Sequence, residues 1–310
     1  MKLNKLPPWL EAANNRLGLL IKDKRIPHSI LLSGGVGIGK SILAGKFVKI
    51  LLCHSGQLVA CEHCKSCRMY DQRVHGDFLP ISLEDKTVIG VDQIRKAISF
   101  SGKTNVFSGR KVILINPASN LHHGASNALL KSLEEPPPNT VLILVSSRDE
   151  SLPATVRSRC HRVALESPDY ETALKWLSDL LPDCDDFSKD VALGMRYPIG
   201  AAMLLQTEEF NSLMQIINNS LLTDSICIEN LKKLFSDNKP DRLMLECITV
   251  LIERSLRKAD TSELKRQEST NLFFCHEGLR NIINKIDNGL ALNLELNINT
   301  LLTNINNFVR

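Results

Sequence analysis

One stretch constrains this chain more than any other: residues 34–41, GGVGIGKS. It follows a short apolar run, Ser29-Ile30-Leu31-Leu32-Ser33, and leads into a helical pattern over residues 42–52. A strand, a glycine-rich turn and a helix in that order make a phosphate-binding loop of the form G-x-x-x-x-G-K-S. Glycines let successive backbone N–H groups turn inward around phosphate oxygens. Gly34, Gly37 and Gly39 are the glycines of the motif. Lys40 is placed to reach the terminal phosphates of a nucleotide such as ATP, and Ser41 to hold its Mg2+. The start of the following helix favours an anion at the same point.

Hydrolysis asks for more. A second strand normally ends in carboxylates, one to organise magnesium and one to activate the attacking water. The strand expected over residues 110–115 ends instead in Asn116-Pro117-Ala118-Ser119. Asn116 can hydrogen-bond to a metal's water but carries no charge, and Pro117 cannot act as a base. Glu134 and Glu135 are the nearest acids in sequence, at a helix end before Pro136-Pro137-Pro138. The chemistry predicts nucleotide binding at best, with little or no hydrolysis by this chain alone.

Four cysteines arrive together, Cys53, Cys61, Cys64 and Cys67, spaced C-x7-C-x2-C-x2-C. Four thiolates close a tetrahedral shell around zinc and leave no position for a substrate, so the expected role is structural. A metal clip suits a short polar excursion with little core of its own. His54 and His63 are alternative ligands, and iron–sulfur or redox use is a competing reading, although the ferredoxin spacing with a proline after the fourth cysteine is absent. The sequence begins without a signal peptide's apolar core and no apolar run spans a membrane. A cytoplasmic protein is expected, in which the nine cysteines serve as thiols or ligands rather than disulfides. The formal net charge of +4 is too weak to announce nucleic-acid binding by itself.

Read in order, the chain predicts a helix over 11–22 and a strand over 29–33. The phosphate loop and its helix follow. A strand at 77–81, a helix from 91 to about 99, and the buried strand 110–115 come next. A helix over 119–134 is stopped by the prolines. Strands at 140–145 and 160–165 close the series, with a short element between them at 152–159. This alternation argues an α/β fold, a three-layer domain with a mostly parallel sheet over residues 1–165 and the zinc module inserted at 53–67. Ser167-Pro168 reads as a helix start. A small helical domain is expected over 166–206, and an all-helical region over 207–310 with a terminal helix near 290–308. Cys184, Cys227, Cys247 and Cys275 read as small core residues, and Trp9 and His28 as structural ones.

Arg159, in Ser158-Arg159-Cys160, starts the last strand with Arg157 and Arg162 nearby. The set suits a solvated basic cluster, and it equally suits an arginine presented in trans to another subunit's triphosphate. Taken together, several motifs resemble the delta-prime family of bacterial DNA polymerase III clamp-loader subunits, within the AAA+ proteins. They are Arg25-Ile26-Pro27-His28, the phosphate loop, the four cysteines, Gly90-Val91-Asp92-Gln93-Ile94-Arg95, the run from Asn127 through Leu130-Lys131-Ser132-Leu133-Glu134-Glu135 to Pro137, and Ser158-Arg159-Cys160. The resemblance covers about residues 5–206.

It implies a AAA+ P-loop domain, a small helical lid over 166–206 and a helical collar over 207–310 that holds the assembly together. It further implies gamma or tau and delta subunits as partners, the beta sliding clamp and primed-template DNA within the complex, and no membrane. The chain would help load the clamp inside a complex with ATPase and DNA-directed DNA polymerase activity, with Arg159 completing a neighbouring gamma or tau ATP site. Ser146 and Ser147 fall near the family's phosphate-sensing position, and Arg196 is the arginine nearest the lid's nucleotide contact. Two other readings are an autonomous ATPase, motivated by the intact loop, and a zinc-dependent nucleic-acid-binding module, motivated by the cysteines. Few basic residues and no interleaved aromatics speak for the second.

Overall fold

Strands rich in Ile, Leu and Val on both faces can be stable only with helices on each side. The computed structural model of the chain has that arrangement; it describes residues 6–84, 87–107, 109–147, 152–220, 227–258, 263–287, 290 and 292–307. Two compact units divide the chain, Met1–Asp169 and Tyr170–Arg310. In the first, α1 (Glu11–Lys22), β1 (Ser29–Ser33), α2 (Lys40–Leu52), α3 (Lys65–Asp71), β2 (Phe78–Ile81) and α4 (Val91–Ser101) are followed by β3 (Lys111–Ile115), α5 (His123–Glu134), β4 (Thr140–Ser146), α6 (Ala154–Arg157) and β5 (His161–Ala164). The five strands form one sheet in the order β2-β3-β4-β1-β5, and every pairing is parallel.

Side chains alternate across this sheet. Ile30, Leu32, Val112, Val141, Ile143 and Val145 pack with Leu17 of α1 and Leu43, Phe47 and Val48 of α2. Leu31, Ile113, Ile115, Leu142 and Leu144 face the other way, onto Ile94 of α4, Leu129 and Leu133 of α5, and Val156 of α6. Three layers follow from the period of two along each strand. Pro80 donates no hydrogen bond, and it lies in β2 at the sheet's edge, where none is needed.

The helix expected over 119–134 is broken. A 3-10 turn at Ala118–Asn120 ends, Leu121 bridges Ile89, and α5 restarts with His122 as its cap. The Ile89 N–H donates to Asn120 O at 2.8 Å and the His122 N–H to Ile89 O at 3.0 Å, so the loop before α4 captures backbone groups a continuous helix would have used. The helix expected from Ser167 begins later, at Tyr170. Ser167 lies against the phosphate loop instead, its Oγ 2.5 Å from where a Cβ on Gly35 would stand.

The second unit is helical throughout its described residues, with α7 (Tyr170–Leu180), α8 (Asp186–Met195), α9 (Pro198–Leu204), α10 (Glu208–Ser220), α11 (Ile228–Asp237), α12 (Arg242–Lys258), α13 (Glu263–Asp287) and α14 (Leu294–Asn307). Phe308, expected in the last helix, lies outside the described residues. Cys247 and Cys275 are buried in this unit, whereas Cys227 caps α11, its sulfur accepting the Asn230 N–H. Among the described residues no helix is long and apolar enough to cross a membrane.

A buried ion pair fixes the start of β3. Asp77 is 0% exposed and Lys111 2%, with Nζ 3.4 Å from Oδ1. The same carboxylate accepts the Val106 and Phe107 N–H groups at 2.8 and 2.6 Å, and the Lys111 ammonium sits 4.2 Å from the Phe100 ring centroid. Removing one partner of such a pair leaves the other charge buried and uncompensated. Asp77→Ala is expected to destabilise the chain by about 3–5 kcal/mol in urea unfolding, and Lys111→Met by less.

Candidate functional site

The C-terminal ends of β1, β3 and β4 lie side by side, where open parallel sheets hold their ligands. The phosphate loop leaves β1 there. Gly37 and Gly39 take positive φ values of 67° and 99°, a conformation that side-chain-bearing residues adopt at a cost. Gly39 is also the cap of α2, which starts at Lys40, two residues earlier than the sequence suggested. Lys40 is only 5% exposed, and its Nζ donates to Gly34 O at 3.0 Å and to Gly35 O. The ammonium thus closes the loop onto its own carbonyls.

Asn116 ends β3 beside this loop. Its backbone N–H donates to Ile81 O at 2.9 Å, and its side-chain Nδ2 donates to Ser41 Oγ at 2.9 Å. A neutral amide occupies the hydroxyl that would otherwise hold magnesium, and it offers a divalent cation no charge. Ser146, 0% exposed, ends β4 opposite Ser33.

Arg159 belongs to the other end of the sheet. Ser29, the first residue of β1, donates its Oγ to Arg159 O at 2.7 Å. The phosphate loop follows the last residue of β1, roughly 13 Å further on at 3.3 Å per residue. The guanidinium therefore cannot serve its own loop. It is 37% exposed and is held by Glu134, Nη2 to Oε1 at 2.8 Å, and by Thr155 O, which accepts from Nη1 at 2.9 Å. Glu134, weighed above as a substitute acid, lies at this far end too. Arg162 turns to β1, its Nε donating to Ser33 Oγ at 3.1 Å. In the second unit Arg196 pairs with Glu246 at 2.6 Å.

The four cysteines converge. Cys53 ends α2, Cys64 caps α3, and Cys67 lies within it. All four sulfurs lie within 4.8 Å of one another, and those of Cys53 and Cys64 are 4.0 Å apart. A tetrahedral shell with metal–sulfur bonds of about 2.3 Å has sulfur–sulfur edges of about 3.8 Å, so the set can hold a metal ion. Neither histidine joins it: His54 bonds to Phe107 O at 2.9 Å. Backbone N–H groups point at the sulfurs, Cys61 to Cys53 at 3.3 Å, Cys64 to Cys61 and Cys67 to Cys64 at 3.4 Å each. Burial alone would raise the Cys53 thiol, but the Cys61 and Ser55 donors outweigh it and lower it to about 6. Burial and the adjacent Cys64 and Cys53 sulfurs push Cys67 up. Crowded thiolates of this kind repel one another, and a divalent cation removes the repulsion.

A second contact, unforeseen from the sequence, seats this module on α2. Ser66 Oγ donates to Leu52 O at 2.6 Å and lies 2.7 Å from His75 Nε2. His75 Nδ1 accepts the Asp77 N–H at 3.1 Å. Burial lowers the His75 pKa, which suits the neutral ring that this relay requires.

The family described as DNA polymerase III, delta subunit, matches over residues 9–169, just over half of the chain. DNA polymerase III subunit delta' of Pseudomonas aeruginosa is 39% identical over 178 residues, 57% of this chain and 53% of that protein. The Escherichia coli protein of the same name is 34% identical over 173 residues, 55% of this chain and 52% of that one. DNA polymerase III subunit tau/gamma of Haemophilus influenzae is 32% identical over 162 residues, 52% of this chain and 23% of that protein. The chain spans about half the length of the curated delta' relatives it matches.

The cysteine geometry makes a measurable prediction. Cobalt(II), followed by its thiolate charge-transfer absorption, is expected to bind at one ion per chain and to be lost in Cys64→Ser. Protons compete with metal for the sulfurs, and with the Cys67 thiol pushed up and Cys53 lowered to about 6, affinity should fall steadily as the pH drops from 7.5 and more steeply below about 6. Binding that does not change between pH 7.5 and 5 would exclude a shell that includes Cys53.

Proposed function

The chain belongs to the family described as DNA polymerase III, delta subunit, and from that membership we propose that it is a delta-prime-like, non-catalytic subunit of a clamp loader. Its partners are gamma or tau and delta subunits. It helps place a beta sliding clamp on primed-template DNA in the cytoplasm. The first unit acts as a AAA+ P-loop domain, residues 166–206 as its lid and 207–310 as the collar that holds the assembly. Cys53, Cys61, Cys64 and Cys67 bind a structural zinc, the ion that suits a closed four-thiolate shell.

The observation that carries this reading is the Asn116–Ser41 hydrogen bond at 2.9 Å. Gly34, Gly37, Gly39, Lys40 and Ser41 form a phosphate cradle able to take ATP. The position that needs a carboxylate for magnesium and for water activation holds an amide and then a proline. The chain therefore turns over no ATP itself. Arg159 lies at the opposite end of the sheet, which supports a role at a neighbour's site. There a guanidinium neutralises the charge that develops on the transferred phosphoryl group. The intact Lys40–Ser41 pair is what favours the rival reading, an autonomous ATPase of the same family.

The test is an assembly of this chain with gamma or tau, delta, clamp and primed DNA, carrying Arg159→Ala. An arginine supplied in trans is worth about 10³–10⁵ at the site it serves, so stimulated ATP turnover should fall roughly tenfold or more. Unchanged turnover with full assembly removes Arg159 from the mechanism.

A further inference from the structure

We propose that Glu134 is the positioning residue for Arg159, holding the guanidinium in the geometry a neighbouring triphosphate needs; this rests on the trans-arginine reading above. Glu134 is the last residue of α5, and Glu135 follows it. The C-terminal end of a helix carries partial negative charge, so two successive carboxylates there are unfavourable without a nearby cation. Lys131 supplies one within the last turn of α5, and Arg159 a second, 2.8 Å from Glu134.

The backbone of Arg159 is fixed at its N–H, which donates to Val156 O at 3.2 Å, as well as beyond its carbonyl. Ser29 Oγ bonds its carbonyl at 2.7 Å, and Cys160 packs against the core shared by α5 and α6. Only the long side chain is left to place. Thr155 O accepts from Nη1 at 2.9 Å, and Nη2 lies 2.8 Å from Glu134 Oε1 in an ion pair. The hydrogen bond at Nη1 and the ion pair at Nη2 together orient the guanidinium, and the hydrogen bond uses one of its five N–H donors. The rest stay available to phosphate oxygens on the exposed side. A half-exposed pair of this kind contributes little to stability, so its removal should disturb the arginine's position and leave the fold intact. Holding a charged group in place before the reaction is where such contacts act on rate.

The test uses the same assembly, with kcat and KM for ATP measured for Glu134→Ala, Glu134→Gln, Arg159→Ala and the Glu134→Ala/Arg159→Ala double variant. Glu134→Ala should lower kcat about five- to tenfold with KM nearly unchanged, the signature of an interaction made in the transition state. Glu134→Gln keeps an oxygen acceptor and should restore at least roughly half of the rate. It also serves if the alanine variant assembles poorly. In the Arg159→Ala background, adding Glu134→Ala should change nothing further, because the residue acts only through the arginine.

Wild-type kcat in Glu134→Ala, with Arg159→Ala impaired, overturns the positioning role and leaves the trans arginine standing. A Glu134→Ala loss that adds to that of Arg159→Ala overturns it as well, since Glu134 then acts elsewhere. Unchanged turnover in Arg159→Ala overturns both readings together.

Discussion

A parallel sheet buried on both faces has two chemically different ends, and the rest of the first unit depends on that constraint. Every strand runs the same way, so every loop that follows a strand emerges at one end and every loop that precedes one lies at the other. The phosphate loop, Asn116 and Ser146 share the first end. Ser29, Glu134 and Arg159 share the second. The separation is a consequence of strand length, roughly 13 Å for β1. In the proposed function one end would hold phosphate and the other would present an arginine, and a single chain cannot bring the two to one phosphate. Adjacent subunits of an assembly can.

Within the binding end, the contacts are those of a cradle more than of a catalyst. Lys40 is folded onto Gly34 O, and Ser41 accepts from Asn116. Exchange of carbonyl partners for phosphate oxygens would cost Lys40 little, because both are oxygen acceptors. Asn116 and Pro117 stand where a carboxylate is needed for hydrolysis. Glu134 ends α5 at the far end and is already paired, and Glu135 follows it.

Much of this was legible in the sequence because it depends on local chemistry. The loop motif places its own strand and helix. The strand order along the chain and the absence of acids after Ile115 need no tertiary information. The cysteine spacing marks a candidate metal set, and His54 drops out of it only once Phe107 is seen to hold its ring. What the sequence did not disclose depends on partners far away along the chain. Leu121 leaves its helix because Ile89, thirty-two residues earlier, bridges it. Ser167 reads as a helix cap by composition, yet it lies against Gly35. Asp77 and Lys111 look like ordinary charged residues at strand ends, and their burial as a pair comes from the loop at Val106 and Phe107. Glu134 and Arg159 belong to two motifs that were read separately and meet only in the fold. The one hint in the sequence was a pair of carboxylates at the wrong end of a helix.

The central claim is that this chain carries the front of an ATP site without its hydrolytic half. Phosphate release from ATP by the purified isolated chain, with magnesium, tests it most directly, compared with Lys40→Ala. The account predicts no release above that of Lys40→Ala. Steady turnover abolished by Lys40→Ala would contradict it, and would make Asn116 part of a working catalytic set.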